Sequence, residues 1–198
     1  QSDYHYHLKI IVIGNNGVGK SSIIYKLKHN YTDNINTSDN INTSNNINTS
    51  NNNICNFTNI YPTIGVDYEC MIYPREPYIY KLSFWDTAGS EKFFSITQSY
   101  YRLGIACLLV FDVTKPETFE KISWWLNKYR QYSCYGEKTD FEKPVLLIAN
   151  KVDLDTRIIT REQIDEISQK YKIPYLEVSA KNEKNITKIK DTIIDLVN

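Results

Sequence analysis

The chain has 198 residues, a formal net charge of +0 at pH 7 and an aromatic content of 13%. Its length suits one domain with a sizeable core, and its balanced charge excludes the basic footprint of a nucleic-acid-binding protein. No apolar run approaches the roughly 18 residues that span a bilayer, and the start lacks the layout of a signal peptide. The four cysteines are scattered without metal-site spacing, as expected for reduced thiols in a cytoplasmic protein.

A glycine-punctuated turn follows the first predicted strand, residues 6–13. Gly14, Gly19, Lys20 and Ser21 fit the phosphate-loop pattern G-x-x-x-x-G-K-S/T. Glycines let successive N–H groups converge on an anion, and the following helix adds its positive N-terminal dipole. Lys20 can reach the β- and γ-phosphates, and the Ser21 hydroxyl can bind Mg²⁺. The other residues predicted to contact phosphate are Asn15, Asn16, Gly17, Val18 and Ser22.

An asparagine-rich tract follows the first helix, which we predict over residues 22–28 with its end near Asn30. Between residues 33 and 56 the sequence Asn-Ile-Asn-Thr-Ser recurs every six residues. A six-residue period also occurs in β-helices, but one isoleucine per repeat cannot support a core. We therefore predict a disordered, low-complexity insertion at 33–56 within a single domain that spans residues 1–198.

Strand and helix patterns alternate over the rest of the chain, after a predicted hairpin with its turn at 74–77. Such alternation predicts an α/β fold of three layers, with a mostly parallel six-stranded sheet, one antiparallel strand and helices on both faces. Residues 91–103 indicate an irregular helix or loop. The remaining strands are predicted at 66–73, 78–85, 106–111, 145–149 and 175–178, and the helices at 116–133, 160–172 and 185–197.

Polar residues follow two of the later strands. Asp153, in Asn-Lys-Val-Asp, offers a carboxylate that accepts two hydrogen bonds, which guanine can donate side by side and adenine cannot. Ser179, at the next strand end, can support that carboxylate. Each short motif alone also fits a helix cap, but together and in this order they predict a guanine site and disfavour an ATP-dependent transferase. The predicted base-binding residues are Asn150, Lys151, Asp153, Ser179, Ala180 and Lys181.

A fourth strand end carries Asp86 and Gly89. Because parallel strands direct their carboxyl ends to one edge of the sheet, we expect Asp86 to share a crevice with Gly14, Asn150 and Ser179. Asp86 can hold a metal near Ser21 through water, and the Gly89 N–H is free to meet a γ-phosphate. An ordinary Asp-x-x-Gly turn is the alternative for this pair taken alone.

With these motifs in place, the chain resembles the Rab family of small GTPases in the Ras superfamily, most specifically over residues 64–68, 81–89 and 94–102. The resemblance implies a three-layer G domain that binds GTP or GDP with Mg²⁺, hydrolyses GTP and acts as a switch in vesicle and membrane traffic. It also implies a monomer whose switch regions bind an exchange factor, a GTPase-activating protein and effectors. Prenyl groups on a carboxyl terminus not present in this chain would hold it on the cytosolic face of an intracellular membrane.

The resemblance also implies roles for single residues. Thr63 corresponds to the first-switch threonine, which binds Mg²⁺ and senses the γ-phosphate, and Tyr31 corresponds to an aromatic that stacks on guanine. Tyr68, Trp85 and Tyr100 correspond to an exposed patch that binds partners, with core packing as the alternative for each.

Two departures from the family lie beside the expected γ-phosphate. Ser90 stands where the family usually has the glutamine that positions the attacking water, and Asn16 stands where it has glycine or serine. With Lys20 and Thr63, Ser90 completes the predicted catalytic positions. Because phosphoryl transfer depends on positioning, we expect slow intrinsic hydrolysis. A persistently GTP-bound module that recruits partners and has negligible hydrolysis is the alternative.

Overall fold

The computed structural model describes residues 3–36, 63, 65–90, 94–102, 104–133 and 143–198, and only the backbone of residues 30–36. The strands are β1 (Tyr6–Ile13), β2 (Val66–Arg75), β3 (Tyr78–Thr87), β4 (Ala106–Asp112), β5 (Val145–Asn150) and β6 (Tyr175–Glu177). The helices are α1 (Lys20–Asn36), α2 (Phe94–Thr97), α3 (Pro116–Glu120), α4 (Ile122–Ser133), α5 (Arg161–Tyr171) and α6 (Lys188–Val197), and a 3₁₀ turn over Gln98–Tyr101 follows α2.

The strands form a six-stranded sheet in the order β2-β3-β1-β4-β5-β6. β2 runs antiparallel to β3, and the other neighbours are parallel. Every residue of β4 and β5 is buried, as expected for central parallel strands with both faces covered. β2 lies at the edge of the sheet. Proline has no N–H to donate to a neighbouring strand, and an edge strand, which has a neighbour on one side only, tolerates this at Pro74. The predicted mixed sheet is confirmed.

Helices cover both faces of this sheet and divide the core in two. On one face, α1 and α6 pack isoleucines such as Ile23 and Ile193 against alternate residues of β1. On the other face, α4 and α5 pack Trp125, Leu126 and Ile164 against the intervening strand residues. Among the described residues, no helix is both long and apolar enough to cross a membrane.

Two helix predictions differ from the structure. α1 continues to Asn36, so the predicted end near Asn30 is wrong and the first four residues of the predicted insertion are helical. The helix predicted over 116–133 is divided at Lys121 into α3 and α4. The hairpin turn is also tighter than predicted, since Pro74 and Arg75 remain in β2 and pair with β3.

Helix α5 shows why its ends were predictable. The Thr160 hydroxyl accepts from the Gln163 N–H at 3.3 Å, and the Gln163 side chain accepts from the Thr160 N–H at 2.9 Å, which is a capping box. At the other end, Lys172 adopts a left-handed conformation with φ 53°, and this ends the helix. Capping chemistry thus fixes α5 within one residue of the predicted bounds.

Candidate functional site

A cavity of about 500 Å³ opens at the carboxyl ends of the parallel strands. Its volume is within the range of small-molecule sites. Five separate stretches of sequence meet there: the phosphate loop with the start of α1, Thr63, Gly89, the loop that follows β5 and the loop that follows β6. The lining residues are Asn16, Gly17, Gly19, Lys20, Ser21, Ser22, Thr63, Gly89, Asn150, Lys151, Asp153, Leu154, Ala180 and Lys181.

The phosphate loop passes close to β4 where it leaves β1. Gly14 has φ 135°, and a Cβ atom at this position would lie 2.1 Å from the carbonyl oxygen of Val110. No side chain fits that approach, so the first glycine of the motif is required by packing as well as by conformation. The loop therefore begins at a fixed point on the sheet.

Lys20 lies inside the loop rather than over open solvent. It is buried, and its ammonium group donates to the carbonyl oxygens of Gly14 at 2.9 Å and Asn15 at 3.2 Å. Burial lowers the pKa of Lys20 to about 8, and the nearby Asp86 carboxylate acts in the opposite direction. A bound phosphate oxygen would supply a negative charge in direct contact with the ammonium group, whose present partners are neutral carbonyl oxygens.

Three oxygen-bearing side chains meet at the entrance of α1. The Ser21 hydroxyl donates to Asp86 Oδ2, and the Thr63 hydroxyl lies 3.1 Å from the same oxygen and 3.2 Å from Ser21 Oγ. Burial raises the pKa of Asp86, while the Ser21 hydrogen bond and the charge of Lys20 oppose that shift. Asp86 Oδ1 is buried and has no hydrogen-bond partner in the described part of the chain.

Asn150 joins the two halves of the cavity. Its amide nitrogen donates to the carbonyl oxygen of Val18 at 2.8 Å, and its amide oxygen accepts from the Ala180 N–H at 3.2 Å. Asn150 is buried, and a Cβ atom on Gly19 would lie 2.4 Å from its amide nitrogen. One amide therefore ties the phosphate loop to the loop that follows β6.

Lys151 adds a second link. It has φ 69°, and its ammonium group donates to the Gly17 carbonyl oxygen at 2.8 Å and pairs with Asp112 Oδ2 at 2.7 Å. Burial alone would raise the pKa of Asp112, but the hydrogen bonds from Lys151 and Thr114 hold it below its ordinary value. Asp112 is thus an ionised support beneath the loop.

Asp153 points into the cavity with one oxygen already held. The Ser179 hydroxyl donates to Asp153 Oδ1 at 2.6 Å, and Ser179 Oγ in turn accepts from the Asn182 N–H at 3.0 Å. This is the support that the sequence predicted for the carboxylate. The serine fixes the orientation of Asp153 relative to whatever enters the cavity.

Tyr68, Trp85 and Tyr100 form one contiguous patch away from the cavity. The ring centroids of Tyr68 and Trp85 are 5.1 Å apart, and those of Trp85 and Tyr100 are 5.6 Å apart. Tyr68 is 44% exposed and Tyr100 38% exposed. The Lys9 ammonium lies 4.4 Å from the centroid of the Trp85 ring, so the patch combines aromatic surface with a positive charge.

Several predicted residues are not on the cavity wall. Asp86 and Ser179 are buried and reach it through their hydrogen bonds to Ser21 and Asp153. Val18 is buried in the core, and Asn15 directs its side chain to Trp125. Ser90 is half-buried next to Gly89 and is not among the described lining residues. Tyr31 lies in α1, and its side chain is outside the described residues.

Three residues with evident supporting roles were not predicted. Leu154 lines the cavity beside Asp153. It directly follows Asp153 in the sequence, and this adjacency could have indicated it. Asp112 ends a buried strand, which is also a usable signal. Trp125 had no such signal, because it reaches the loop only through tertiary packing.

Comparison with known proteins agrees with this geometry. The Ras family model matches residues 55–198. Ras-related protein SEC4 of Saccharomyces cerevisiae is 32% identical over 194 residues, which cover 98% of this chain and 76% of that protein. This chain is a Rab-family small GTPase. The Rab assignment is repeated by Ras-related protein RabC of Dictyostelium discoideum, which is 34% identical over 190 residues and covers 94% of this chain and 81% of its own length. GTP-binding protein YPT1 of Saccharomyces cerevisiae is 33% identical over 187 residues, which cover 93% of the chain and 76% of YPT1.

Membership of the family gives this Rab GTPase its enzyme class, which is GTP hydrolysis. It does not set the rate. Of the two positions that depart from the family pattern, Asn16 lines the cavity and Ser90 follows the lining residue Gly89, whereas the residues around Asp153 follow the pattern.

Proposed function

We propose that this Rab GTPase is a switch that binds GTP and GDP together with Mg²⁺, hydrolyses GTP slowly and regulates vesicle or membrane traffic. The observation that carries the proposal is the convergence on one cavity of Lys20, of Ser21 and Thr63 with their shared buried partner Asp86, and of the supported Asp153 carboxylate. A relative named a GTP-binding protein, YPT1, matches over 93% of the chain.

At the phosphate end, Lys20 supplies positive charge, and the backbone N–H groups of the loop orient the phosphate oxygens. The buried ammonium, with its lowered pKa, is stabilised when an anion takes the place of the Gly14 and Asn15 carbonyl oxygens as its partner. The N-terminus of α1 at Lys20 adds further N–H groups and the helix dipole. These features favour a polyphosphate over a neutral ligand.

Mg²⁺ fits the residues at the start of α1. Ser21, Thr63 and Asp86 offer the hard oxygen ligands that Mg²⁺ prefers, and the unpartnered, buried Asp86 Oδ1 is a group that a cation would stabilise. Within the described residues there is no cluster of three His, Cys, Asp or Glu side chains, so the ion would depend on phosphate oxygens as well. When bound, it would neutralise charge on the β- and γ-phosphates.

At the base end, Asp153 selects guanine. Its Oδ1 atom is oriented by Ser179. Adenine offers no matching pair of donors, so with adenine the carboxylate would lack the two hydrogen bonds that guanine would donate. Such a mismatch discriminates by roughly 10⁴ or more where the site is built around the hydrogen bond. The Ala180 N–H donates to the Asn150 side chain, and this bond holds the backbone of residues 179–181 in place. We propose that a backbone N–H of this segment donates to the guanine oxygen.

Slow hydrolysis follows from Ser90 and Asn16. A serine side chain is too short to orient the attacking water as a glutamine would, and the exposed Asn16 amide lies on the phosphate side of the cavity. Loss of a positioning group slows the chemical step and leaves binding intact. The same observation favours the second candidate, a persistently GTP-bound module that recruits partners.

The test is single-turnover hydrolysis of bound GTP by the parent protein and by Ser90→Gln. We expect the parent to hydrolyse slowly and the glutamine variant to be faster by about tenfold or more, since misplacing a reacting group by about 1 Å can slow a reaction about 100-fold. An equally fast parent would show that another group positions the water. A parent with no measurable turnover would favour the persistently bound module.

The partner surface is the Tyr68–Trp85–Tyr100 patch, which we assign to effectors and regulators. Rab proteins act with an exchange factor, a GTPase-activating protein and effectors. β2, which carries Tyr68, begins three residues after Thr63, and β3 contains both Trp85 and Asp86. A nucleotide-dependent movement of Thr63 or Asp86 would therefore change the positions of the patch residues. By the same family relation we propose a monomer, one G domain over 1–198 with an insertion at 33–56, and attachment to the cytosolic face of an intracellular membrane.

A further inference from the structure

Trp125 joins helix α4 to the phosphate loop. Its ring is 1% exposed, and the indole Nε1–H donates to Asn15 Oδ1 at 2.8 Å. An indole nitrogen can only donate, so the amide oxygen of Asn15 must face it. The two residues are 110 positions apart in the sequence, so this is a tertiary contact between a rigid helix and the loop.

Asn15 is the point where two functional groups meet the loop backbone. Its carbonyl oxygen accepts from the Lys20 ammonium at 3.2 Å. A Cβ atom on Gly89 would lie 2.5 Å from both the Asn15 carbonyl carbon and the Asn16 nitrogen, so the Gly89 backbone is in contact with this peptide. A shift of Asn15 would change the positions of Lys20 and Gly89 relative to each other.

We propose that Trp125 is a positioning residue for the phosphate loop, which it holds through Asn15 so that Lys20 and Gly89 are placed for the γ-phosphate. This inference rests on the proposed function of guanine-nucleotide binding. It predicts a role in distinguishing GTP from GDP, because the Gly89 N–H would meet only the γ-phosphate, which GDP lacks. The base end of the cavity, at Asp153, is held by a separate hydrogen bond from Ser179 and should contribute equally to both nucleotides.

The surroundings of Trp125 make it a rigid anchor and provide a matched control. Its ring packs edge-on against Trp124, with centroids 4.8 Å apart and an interplanar angle of 88°. Trp124 contacts Phe94 of α2 with centroids 5.5 Å apart. Trp124 thus shares the helix and the chemistry of Trp125, while the hydrogen bond to Asn15 belongs to Trp125.

The experiment measures the affinity for GDP and for a non-hydrolysable GTP analogue in the parent, Trp125→Phe, Asn15→Ala and their double variant. Phenylalanine keeps most of the ring and removes the donor. We expect the affinity for the GTP analogue relative to that for GDP to fall by about three- to tenfold in each single variant, the usual size of one hydrogen bond. The double variant should fall no further, because both substitutions remove the same bond.

Trp124→Phe is the control, and its affinity ratio should stay within about twofold of the parent value. If Trp125→Phe weakens both nucleotides equally, or if the two single effects add in the double variant, the positioning role is wrong. If Trp125→Phe does not fold, Asn15→Ala on the half-exposed loop still tests the bond. A parent that binds neither nucleotide refutes the proposed function itself, which is a separate outcome.

Discussion

Lys20 should make the nucleotide-free protein more stable as the pH rises from about 8 to about 10.5. Burial lowers its pKa from 10.5 to about 8, so the folded chain releases the proton at a lower pH than the unfolded chain does. Between the two values the unfolded state binds more protons, and stability therefore increases with pH. Below about pH 8 the buried charge is fully destabilising.

The size of the effect follows from the two pKa values. They differ by about 2.5, which corresponds to about 3 kcal/mol. At about pH 9.5 only about one pKa unit of the difference remains, or about 1 kcal/mol. The contribution of Lys20 to the free energy of unfolding should thus rise by about 2 kcal/mol between about pH 6.5 and 9.5.

The assay is urea unfolding of the nucleotide-free parent and of Lys20→Met at these two pH values. Methionine has a similar shape and no charge, so subtracting its pH dependence removes the contribution of every other titrating group. The parent should gain about 2 kcal/mol over the methionine variant on going to the higher pH. Equal pH dependence in the two proteins would refute the argument, because it would show that Lys20 has an ordinary pKa in the fold.

Two further predictions concern the base and the insertion. Asp153→Ala should weaken GDP binding by about 100-fold or more while leaving ATP binding unchanged, because it removes the guanine-selective acceptor; competition between GDP and ATP measures this, and equal losses for both would contradict it. Deleting residues 37–53, which spares α1 and Thr63, should change GDP affinity by no more than a few-fold, because the free energy of closing a disordered insertion, as the sequence predicts here, depends only weakly on its length. A large loss in a titration with GDP would show that the tract is structural.

Most of the site could be predicted because its residues belong to short motifs at strand ends. The spacing of Gly14, Gly19 and Lys20 specifies a loop conformation, and the apolar runs before Asp86 and Asn150 place those residues at the same edge of a parallel sheet. Topology then brings together what the sequence separates. Gly19, Lys20 and Asn150 line the cavity, whereas Asp86 is buried and reaches the lining through its hydrogen bond with Ser21.

The end of α1 could not be predicted from local chemistry. Asparagine, aspartate and threonine favour turns and caps over helix interiors, and α1 nevertheless extends through such residues to Asn36. The division at Lys121 was missed for a different reason: the apolar pattern is helical on both sides of Lys121, so periodicity predicts one continuous helix. In both cases propensity and periodicity indicate that a helix is present but not where it begins or ends.

Tertiary contacts were the other limit. Nothing near Trp125 in the sequence indicates that its N–H meets Asn15, and the ion pair between Asp112 and Lys151 likewise depends on two strands being adjacent. Periodicity predicts that a residue faces the core, but not which polar group it meets there.

The two hydrogen bonds of Asn150 affect how the two ends of a ligand would contribute to its affinity. Because one buried amide bonds both Val18 and Ala180, the base end and the phosphate end keep their separation before any ligand arrives. On the proposed function, a guanine base or a diphosphate that fills one end would not have to organise the other. The sugar that links them in a nucleotide therefore acts mainly by raising effective concentration, which is how a rigid receptor gains affinity from a bipartite ligand.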